Sequence, residues 1–399
     1  DNPRILSWIH DALLIYTLAS SNSVGLCGAA MRDIAVICES ESAGESLTAD
    51  STNSRSHQTA TATATATSTV TATATATDQQ SRFDGLTSQA ERRRKDLDYR
   101  IRMTTSCADA ALIPKVEDAG RCVFDPESGQ TVQRMHNGLN VVEGGYYGDW
   151  MRQIIETLQG HHEPQEEFVF HELLGRLGGG ATMIELGSFW SYYSLWFLHA
   201  GEQQGWAGSR RAICVEADPK HLEIGRRNAE INHLSPTYIN GFAAAAASDG
   251  PVPFETESSG VVSIPALTVQ QLMEQHSIEF LDVLHADTQG AELDVLEGAK
   301  PMVLAGKIRF VVLSTHSYEI CGDPLLHQRC LQWLLNHGAH IICEHDVHES
   351  FSGDGLIVAS FHSDDRDWRL PLSRNRYSDS LFPNPAYYVP MRPRHAPLL

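Results

Sequence analysis

The chain has 399 residues, of which 42% are hydrophobic and 20% are charged, a composition typical of a folded globular protein. Its 50 acidic and 30 basic residues give a formal net charge of −20 at pH 7. An acidic surface repels phosphate backbones, so the sequence predicts no nucleic-acid partner; no run of 18 apolar residues occurs, so it predicts no membrane span.

The eight cysteines are scattered along the chain. They form no C-x-x-C pair, which gives little support to a structural zinc site. Cys214 and Cys343 fall inside apolar runs, where a thiol is usually a small buried hydrophobic group. A reducing compartment is the simplest interpretation, and we expect a cytoplasmic protein. The chain begins with Asp rather than Met, so the sequence leaves an N-terminal signal open.

Residues 1–134 are predicted to be mostly disordered or of low complexity. Small and polar residues dominate residues 40–82, which therefore cannot bury enough apolar surface to offset the entropy lost on ordering. Residues 59–77 alternate Thr and Ala almost without a break and are interpreted as a linker, with a glycosylated stalk as the alternative. A charged helix is expected over residues 88–102, and its basic run at 92–95 is interpreted as a solvated helix face.

A folded domain is predicted over residues 135–365, with a C-terminal tail at 366–399. Its first clear element is a helix that begins at Pro164, since proline suits the first helical turn. The glycine run at 178–180 is predicted to end that helix.

Short apolar runs then alternate with helical patterns. The predicted strands are Thr182–Leu186, Arg211–Ala217, Thr237–Phe242, Leu281–Ala286, Ile308–Ser314, His340–Glu344 and Gly355–Phe361. The predicted helices between them are Tyr192–His199, Lys220–His233, Val269–His276, Ala291–Ala305 and Leu325–His337. This alternation predicts an α/β, Rossmann-like fold with a seven-stranded, mostly parallel sheet and helices on both faces. A polar loop joins the last two strands, so the last strand is expected to insert antiparallel.

The first predicted strand leads into Glu185-Leu186-Gly187-Ser188. A strand followed by a tight turn and a helix directs backbone N–H groups at a ligand. The dinucleotide fingerprint G-x-G-x-x-G is absent, which disfavours a pyrophosphate. A carboxylate before a single glycine suits the ammonium group of a methionine-like amino acid, although an ordinary strand–helix turn explains the pattern equally well.

The second predicted strand ends in Glu216-Ala217-Asp218-Pro219. A carboxylate at this place accepts both ribose hydroxyls of an adenosyl group. Capping of the next helix explains Asp218 fully. It does not explain Glu216, which we interpret as the ribose ligand.

Polar or small residues also follow the next three predicted strands. The run from Ala243 is expected beside an adenine ring, and Asp249 is either a partner of that ring or part of a simple turn. Asp287 is expected where a methyl donor and an acceptor would meet. His316 follows the fifth predicted strand, so we expect it at the same edge of the sheet as Asp287. A histidine titrating near neutrality could take a hydroxyl proton; a purely structural role is the alternative for His316.

Together these residues resemble the FkbM family of methyltransferases, most specifically through a D-x-x-G-x-E and L-x-G-A pair. The matching segments are Glu185-Leu186-Gly187-Ser188, Val215-Glu216-Ala217-Asp218-Pro219, Asn228 with Asn232, Asp287-Thr288-Gln289-Gly290-Ala291-Glu292 and Leu296-Glu297-Gly298-Ala299. The segment His162-Glu163-Pro164-Gln165-Glu166 is similar to the family's E-P-x-E lead-in. The resemblance spans roughly residues 160–361.

The resemblance implies a class I methyltransferase fold, S-adenosylmethionine as the cofactor, and O-methylation of a hydroxyl on a sugar or secondary metabolite. The predicted cofactor-binding residues are Glu185, Gly187, Ser188, Ser191, Glu216, Ala217, Ala243 and Asp287, and the predicted catalytic residues are Asp287 and His316. The chain departs from the family pattern twice. Ser191 stands where the family commonly has glycine, and its side chain narrows the turn. Gln289 stands where the family more often has glutamate, so a negative charge near the reaction centre is absent.

Two other classes of function compete with this interpretation. A non-catalytic domain that binds a partner or glycan would keep the fold without turnover. A nucleotide-dependent oxidoreductase is disfavoured by the missing glycines.

The sequence predicts no metal site, because no ligand spacing is strong; a rim site from His316, Asp287 and residues 345–349 is the alternative. Aromatic residues are expected to line an acceptor pocket or the core: Tyr146, Tyr147, Trp150, Phe189, Trp190 and Tyr192. The acceptor is expected to be a small molecule or glycan, and the oligomeric state is open.

Overall fold

A computed structural model describes residues 96–206 and 209–375. The chain divides into two compact units, one spanning residues 31–102 and the other residues 1–30 and 103–399. Of the first unit the structure describes residues 96–102, which are helical, as predicted. The predicted Thr/Ala linker, the basic run and the end of the predicted tail lie outside the described residues.

The described part of the larger unit contains short strands and helices along its whole length. The strands, β1 to β14, are Cys122–Asp125, Gln130–Arg134, Asn140–Val142, Thr182–Leu186, Arg211–Glu216, Thr237–Asn240, Phe242–Ala243, Val252–Thr256, Gly260–Ile264, Ala266–Leu267, Leu281–Ala286, Ile308–Thr315, His340–His345 and Gly355–Ser360. The α-helices that follow residue 105, α1 to α8, are Asp149–Thr157, Pro164–Leu174, Tyr192–Gln203, Pro219–Ile231, Val269–Gln275, Glu292–Leu304, Tyr318–Cys321 and Leu326–Asn336. Two 3₁₀ turns cover Asp109–Leu112 and Ser363–Asp365.

Seven strands form the central sheet, in the spatial order β13-β14-β12-β11-β4-β5-β6. Neighbouring strands are parallel, except that β14 runs antiparallel to both β12 and β13. This order confirms the predicted mostly parallel, Rossmann-like sheet with an antiparallel last strand. Strand β4 is buried at all five positions, as expected of a parallel strand covered on both sides.

The two faces of the sheet are covered by different helices. One face packs an apolar cluster that includes Ile184, Leu284 and Val311 against side chains of α5, α6 and α8. On the other face α2 and α3 approach the strands, for example through the ring contact of Tyr193 with His285 at 4.5 Å. Cys214 and Cys343 are buried, as their apolar surroundings predict.

The folded part begins before residue 135 and continues past residue 365. Strands β1, β2 and β3 form an antiparallel sheet, and Val132 in β2 is fully buried. Leu370 and Leu372, in the predicted tail, are also buried. The region predicted to be mostly disordered and the predicted tail therefore both contain folded residues. The sequence did not indicate them, because their apolar runs are too short to show a periodic pattern.

Two further elements do not appear in the sequence pattern. Strands β8 and β9 form a hairpin, and β7 pairs with β10 in a small parallel sheet. None of the helices in the described part of the chain combines the length and the apolar character that crossing a bilayer requires.

Candidate active site

The carboxyl ends of the central strands carry polar side chains on one face of the sheet. Glu185 of β4 is in register with Cys214 of β5 and with His285 of β11. Residues paired across parallel strands share a face and alternate residues along a strand return to it. Glu185, Glu216 and His285 therefore lie on the same face, which we call the polar face.

The turn after β4 is pressed against the end of β11. Gly187 has φ +73°, and a Cβ atom there would lie 1.8 Å from the carbonyl oxygen of Asp287. The backbone N–H groups of Gly187 and Ser188 both donate to the carbonyl of Val215, at 2.9 and 3.1 Å. Only glycine fits at position 187, so the turn holds the ends of β4, β5 and β11 close together.

Ser191 occupies a backbone conformation that favours glycine. Its φ is +62°, in the left-handed region that residues with a Cβ rarely adopt. Its hydroxyl packs against α4, where a Cβ on Gly225 would come within 2.4 Å of it. This conformation accounts for the glycine common at the position, and the serine side chain points at a helix.

Glu185 is buried behind the turn. Its Oε2 accepts a hydrogen bond of 3.0 Å from the backbone N–H of Ser194 at the start of α3. Burial raises the pKa of the Glu185 carboxyl to about 7. The group is therefore partly protonated near neutrality, and a nearby cation would favour its charged form.

Glu216 accepts two backbone hydrogen bonds, from Phe189 to Oε2 at 2.9 Å and from Asp218 to Oε1 at 2.8 Å. Burial raises the pKa of this carboxyl to about 7 as well. Each carboxylate oxygen has two lone pairs, so both keep acceptor capacity. The ring of Phe189 stacks on His221 at 3.6 Å beside this carboxyl.

The β8–β9 hairpin is attached to the same strand end. Asp218, which caps α4 through Lys220 N–H, also accepts from the backbone N–H groups of Ser258 and Ser259 at 2.5 and 3.0 Å. Glu257, in the same turn, has its pKa raised to about 7 by burial. Asp218 therefore does more than cap a helix: it fixes a loop beside Glu216.

At the rim, His316 is held between carboxylates from three elements. Its Nδ1 contacts Glu292 at 3.0 Å, and its Nε2 contacts Asp287 at 3.1 Å and Asp354 at 3.7 Å. Burial opposes the charged imidazolium, but the charges of Asp354 and Glu292 and the hydrogen bonds raise the pKa of His316 well above its usual value. His316 is therefore protonated at neutral pH.

Glu292 organises the turn before α6. Its Oε1 accepts from the backbone N–H groups of Thr288 and Gly290, at 3.0 and 3.1 Å. Burial alone would raise the pKa of Glu292, but the charge of His316 and these hydrogen bonds lower it. Glu292, the acid at the end of the D-x-x-G-x-E pattern, therefore holds the turn that carries Asp287.

Three buried glutamates lie at the start of α2, Glu163 just before it and Glu166 and Glu167 within its first turn, and sequence reasoning assigned them no individual role. Tyr193 donates to Glu163 Oε2 at 2.9 Å. Glu166 contacts His285 Nε2 at 2.7 Å and accepts from Ser314 Oγ at 2.6 Å. Glu167 is fully buried. The sequence did mark the start of this helix through Pro164. Acidic residues are common in the first turn of a helix, where they interact favourably with the helix dipole, so their presence alone did not indicate a site.

Aromatic rings surround the Gly187 turn. Tyr146 stacks on Trp190 at 4.6 Å and contacts Phe189 edge-on at 5.1 Å. Tyr147 contacts Phe189 at 5.3 Å and its hydroxyl accepts from Gln289 Nε2 at 3.3 Å. We call Tyr146, Tyr147, Phe189 and Trp190 the aromatic cluster; Trp150 joins its edge at 6.2 Å from Tyr147, whereas Tyr192 is fully buried.

The other predicted residues are spread more widely. Ser188 is buried and its hydroxyl has no hydrogen-bond partner. The carbonyl of Ala217 accepts from Asn240 Nδ2 at 2.9 Å, so Ala217 lies at the Glu216 strand end. Ala243 is part of the apolar cluster, because β7 turns its side chain into the core.

The polar run at 345–349, considered as a source of metal ligands, is committed to other contacts. Glu349 forms an ion pair with Arg374. Asp346 accepts from the backbone N–H groups of His348 and Glu349 at 2.9 and 3.1 Å. A polar turn therefore accounts for these residues.

We compared the chain with family models and with known proteins. Residues 187–341 match the family model described as the methyltransferase FkbM domain. No curated protein matches the chain.

Several solved structures are similar to part of the chain. A TrmK protein of M. capricolum, in complex with S-adenosyl-homocysteine, is 14% identical with a TM-score of 0.31, covering 51% of this chain and 75% of that one. An O-methyltransferase of Bacillus cereus, also in complex with S-adenosyl-homocysteine, is 17% identical with a TM-score of 0.33, covering 49% and 80%. A precorrin-6y C5,15-methyltransferase of Geobacter metallireducens is 12% identical with a TM-score of 0.31, covering 49% and 88%.

Proposed function

We propose that the chain transfers a methyl group from S-adenosylmethionine to a hydroxyl on a sugar or secondary metabolite, since residues 187–341 match the family model of the methyltransferase FkbM domain. The observation that carries this proposal is the pair of buried carboxylates, Glu185 and Glu216, on one face at the ends of adjacent parallel strands. They flank a turn at Gly187 that admits no side chain.

The residues at this end of the sheet fit the cofactor. Glu216 retains acceptor capacity for ribose hydroxyls, and Glu185 is a buried acid suited to an ammonium group. Ser188 contributes a buried hydroxyl that has no partner within the protein. When bound, S-adenosylmethionine supplies a methyl group on a positively charged sulfur, which is already strongly electrophilic, so the protein's main task is alignment.

Asp287 is the group that we assign to the proton of the acceptor hydroxyl. It lies at the carboxyl end of β11, and its side chain is 30% exposed, so a substrate can reach it. The protonated His316 holds it at 3.1 Å. The contact with His316 orients the carboxylate, and a carboxylate at the rim can accept the proton of a hydroxyl.

His316 is then a positioning residue. Because its pKa is raised well above the usual value, it carries its proton at neutral pH and has no lone pair for a hydroxyl proton. Its two ring nitrogens instead join Glu292 under the turn to Asp287 at the rim. The sequence left two roles open for His316, a general base or a structural residue; we assign the base to Asp287.

The aromatic cluster supports a ring-shaped acceptor. Tyr147 lies beside the turn that carries Asp287, since its hydroxyl is hydrogen-bonded to Gln289. Burial, and after it nearby charges that include Asp287, raise the pKa of the Tyr146 and Tyr147 hydroxyls. Flat aromatic faces bind the apolar faces of sugar rings and planar metabolites. Gln289, hydrogen-bonded to Tyr147, adds a neutral polar group at the place where a second carboxylate is common.

Calorimetric titration of the full chain tests cofactor binding. S-adenosylmethionine and S-adenosylhomocysteine are expected to bind with a one-to-one stoichiometry, and NAD is expected not to bind. Failure of both adenosyl ligands to bind would contradict the proposal.

Transfer is tested separately by incubating the full chain with methyl-labelled donor and a panel of glycans and hydroxylated metabolites, followed by mass spectrometry. Label on an acceptor oxygen is the expected outcome. Label on nitrogen or carbon would overturn the O-methylation, and donor binding without transfer to any member of the panel would favour the non-catalytic alternative.

A further inference from the structure

The β8–β9 hairpin ends in a tip of three residues, Glu257, Ser258 and Ser259, which we call the hairpin tip. The two strands form a sheet of their own, so pairing with the central sheet does not set the direction of the hairpin. Phe254 in β8 stacks on Phe242 at 4.3 Å, which holds the strands against the rest of the domain. The position of the hairpin tip depends on contacts of its own.

The hairpin tip is fastened to the start of α4. Asp218 accepts from the backbone N–H groups of Ser258 and Ser259, and from Ser259 Oγ at 2.5 Å. Lys220 Nζ donates to the carbonyl oxygen of Ser258 at 2.5 Å, and His221 Nε2 lies 3.0 Å from Ser258 Oγ. Since α4 follows β5 after a short turn, these contacts hold the hairpin tip at the carboxyl end of β5.

Glu257 reaches from the hairpin tip to the aromatic cluster. Burial, and after it the charge of Asp218, raise the pKa of its carboxyl to about 7, whereas hydrogen bonds from Gln289 and Tyr147 lower it. Ser258, the next residue along the chain, is exposed, but Glu257 is half-buried. A glutamate in a surface turn is ordinarily solvated, so the burial of this carboxyl beside Tyr147 indicates that it belongs to the site.

The three side chains of Glu257, Tyr147 and Gln289 can satisfy one another and still bind a ligand. Gln289 Nε2 carries two protons, of which one goes to the Tyr147 hydroxyl at 3.3 Å, so the other is available for Glu257. The Tyr147 hydroxyl has a proton of its own to donate to the same carboxylate. A carboxylate accepts up to about four hydrogen bonds, so Glu257 keeps acceptor capacity for a further O–H donor.

The partners of Glu257 belong to the part of the rim where the acceptor is proposed to lie. Gln289 stands two residues after Asp287 in the turn before α6, and Tyr147 is a member of the aromatic cluster. We propose that Glu257 binds a second hydroxyl of the acceptor, next to the hydroxyl whose proton Asp287 takes. This inference rests on the proposed methyl transfer and defines the acceptor more closely, as a compound with neighbouring hydroxyls. A site built to bind a hydroxyl rejects analogues that lack it, because the protein group would be left unpaired.

Methyl-transfer kinetics of the full chain test this role, with an acceptor identified by the labelling screen and with analogues in which hydrogen replaces each neighbouring hydroxyl in turn. Glu257→Gln should raise KM for the parent acceptor by about 10-fold and change kcat by less than about threefold. The wild type should discriminate against one analogue by about 10-fold or more in KM, and Glu257→Gln should largely lose that discrimination. Glu255→Gln, at an exposed position of the same hairpin, is the matched control and should behave as the wild type. Undiminished discrimination in Glu257→Gln, or an acceptor without a second hydroxyl beside the methylated one, would overturn the inference.

Titration with S-adenosylhomocysteine and thermal unfolding of the same proteins separate this role from misfolding and from a failure of the proposed function. Glu257→Gln should bind S-adenosylhomocysteine within about threefold of the wild type and melt at the same temperature, and Glu257→Asp, which keeps the charge on a shorter side chain, should raise KM less. A tenfold loss of S-adenosylhomocysteine affinity in Glu257→Gln would assign the carboxyl to the cofactor and overturn the acceptor role. If the wild type transfers no methyl group, the proposed function fails and this inference with it. If it does and Glu257→Gln has the same KM, only this inference fails.

Discussion

The two faces of the central sheet are built from the same strands and do different work. Toward α5, α6 and α8 the strands present Ile184, Val215 and Leu284, which belong to one apolar cluster. Toward α2 and α3 the neighbouring positions present Glu185 and His285 among others, and these contact further charged or polar groups. A one-residue alternation thus separates the side chains that hold the sheet together from those that give it chemistry.

Burying carboxyl groups on the polar face costs free energy, so the partners of each group indicate where a ligand is needed. Buried carboxylates lose hydration, and a protein retains them where partners or a ligand compensate. Glu166 is compensated by His285 and Ser314, and Glu292 by His316 and its own turn. Glu185 and Glu216 are held by backbone N–H groups. Among the described residues, the one basic side chain within 4 Å of either carboxylate is His221, whose Nδ1 lies 3.9 Å from Glu216 and whose pKa burial lowers to about 4. Glu185 and Glu216 are the acids most in need of a cationic or hydroxyl-rich ligand.

The largest effect is expected from Asp287→Asn on the polar face. The amide keeps the shape but cannot take a proton, so turnover with an acceptor identified by the labelling screen should fall by about 100- to 10,000-fold. The affinity for S-adenosylhomocysteine should change by only a few fold, measured by titration. Asp294→Asn, at an exposed position in α6, is the control. Retention of more than half of the wild-type turnover by Asp287→Asn would remove Asp287 from the reaction.

The opposite outcome is expected on the apolar face, with Leu284→Ala. Leu284 is fully buried in the cluster, so truncation should lower the free energy of unfolding by about 2–5 kcal/mol, measured by urea denaturation. The same change at Leu304, which is 69% exposed, should cost less than about 0.5 kcal/mol. If folded Leu284→Ala protein lost cofactor affinity as strongly as a polar-face variant, the division between the faces would not hold.

Glu216→Gln should weaken cofactor binding without unfolding the chain. A hydrogen bond to a charged group contributes about 1.5–3 kcal/mol, so the dissociation constant of S-adenosylmethionine should rise by about 10- to 100-fold. Glu255→Gln, on an exposed position of β8, is the matched control and should bind as the wild type does. Equal affinities in the two variants would show that Glu216 does not contact the cofactor.

The sheet itself follows closely from sequence. The predicted bounds of β4 and β11 agree with the structure at both ends, because both strands are short, mostly apolar runs that end at turn residues. The β8–β9 hairpin was not predicted, since Val252–Thr256 contains Pro253 and alternates only partly. The β1–β3 sheet was missed for a similar reason: its strands are three to five residues long.

The candidate site was predictable one residue at a time but not as a network. Glu185, Glu216 and Asp287 follow strands, so topology alone brings them to one edge. Asp354 reaches His316 from a loop 38 positions later in the chain, and no local pattern marks it. The raised pKa of His316 depends on Asp354, Glu292 and Asp287 together, and no sequence pattern groups these three acids, so the sequence left His316 open between a base and a structural residue.

The smallest effect is expected for the change of S-adenosylmethionine affinity with pH, through the ionisation of Glu216. Burial raises the pKa of Glu216 to about 7, so the carboxyl is mostly protonated at pH 6 and mostly ionised at pH 8. If ribose hydroxyls bind the ionised form, raising the pH from 6 to 8 should tighten S-adenosylmethionine binding by roughly tenfold through Glu216. The raised pKa makes the sign unambiguous: ionisation, and with it affinity, increases as pH rises through 7.

The same titration in Glu216→Gln isolates this contribution. The variant has no proton to lose at this position, so its pH dependence should be shallower than that of the wild type. What remains should come from the other buried acids whose pKa is raised to about 7, which are Glu185, Glu257 and Asp354. Parallel curves for the two proteins, or weaker wild-type binding at pH 8 than at pH 6, would mean that the buried acid at the end of β5 does not face the ligand.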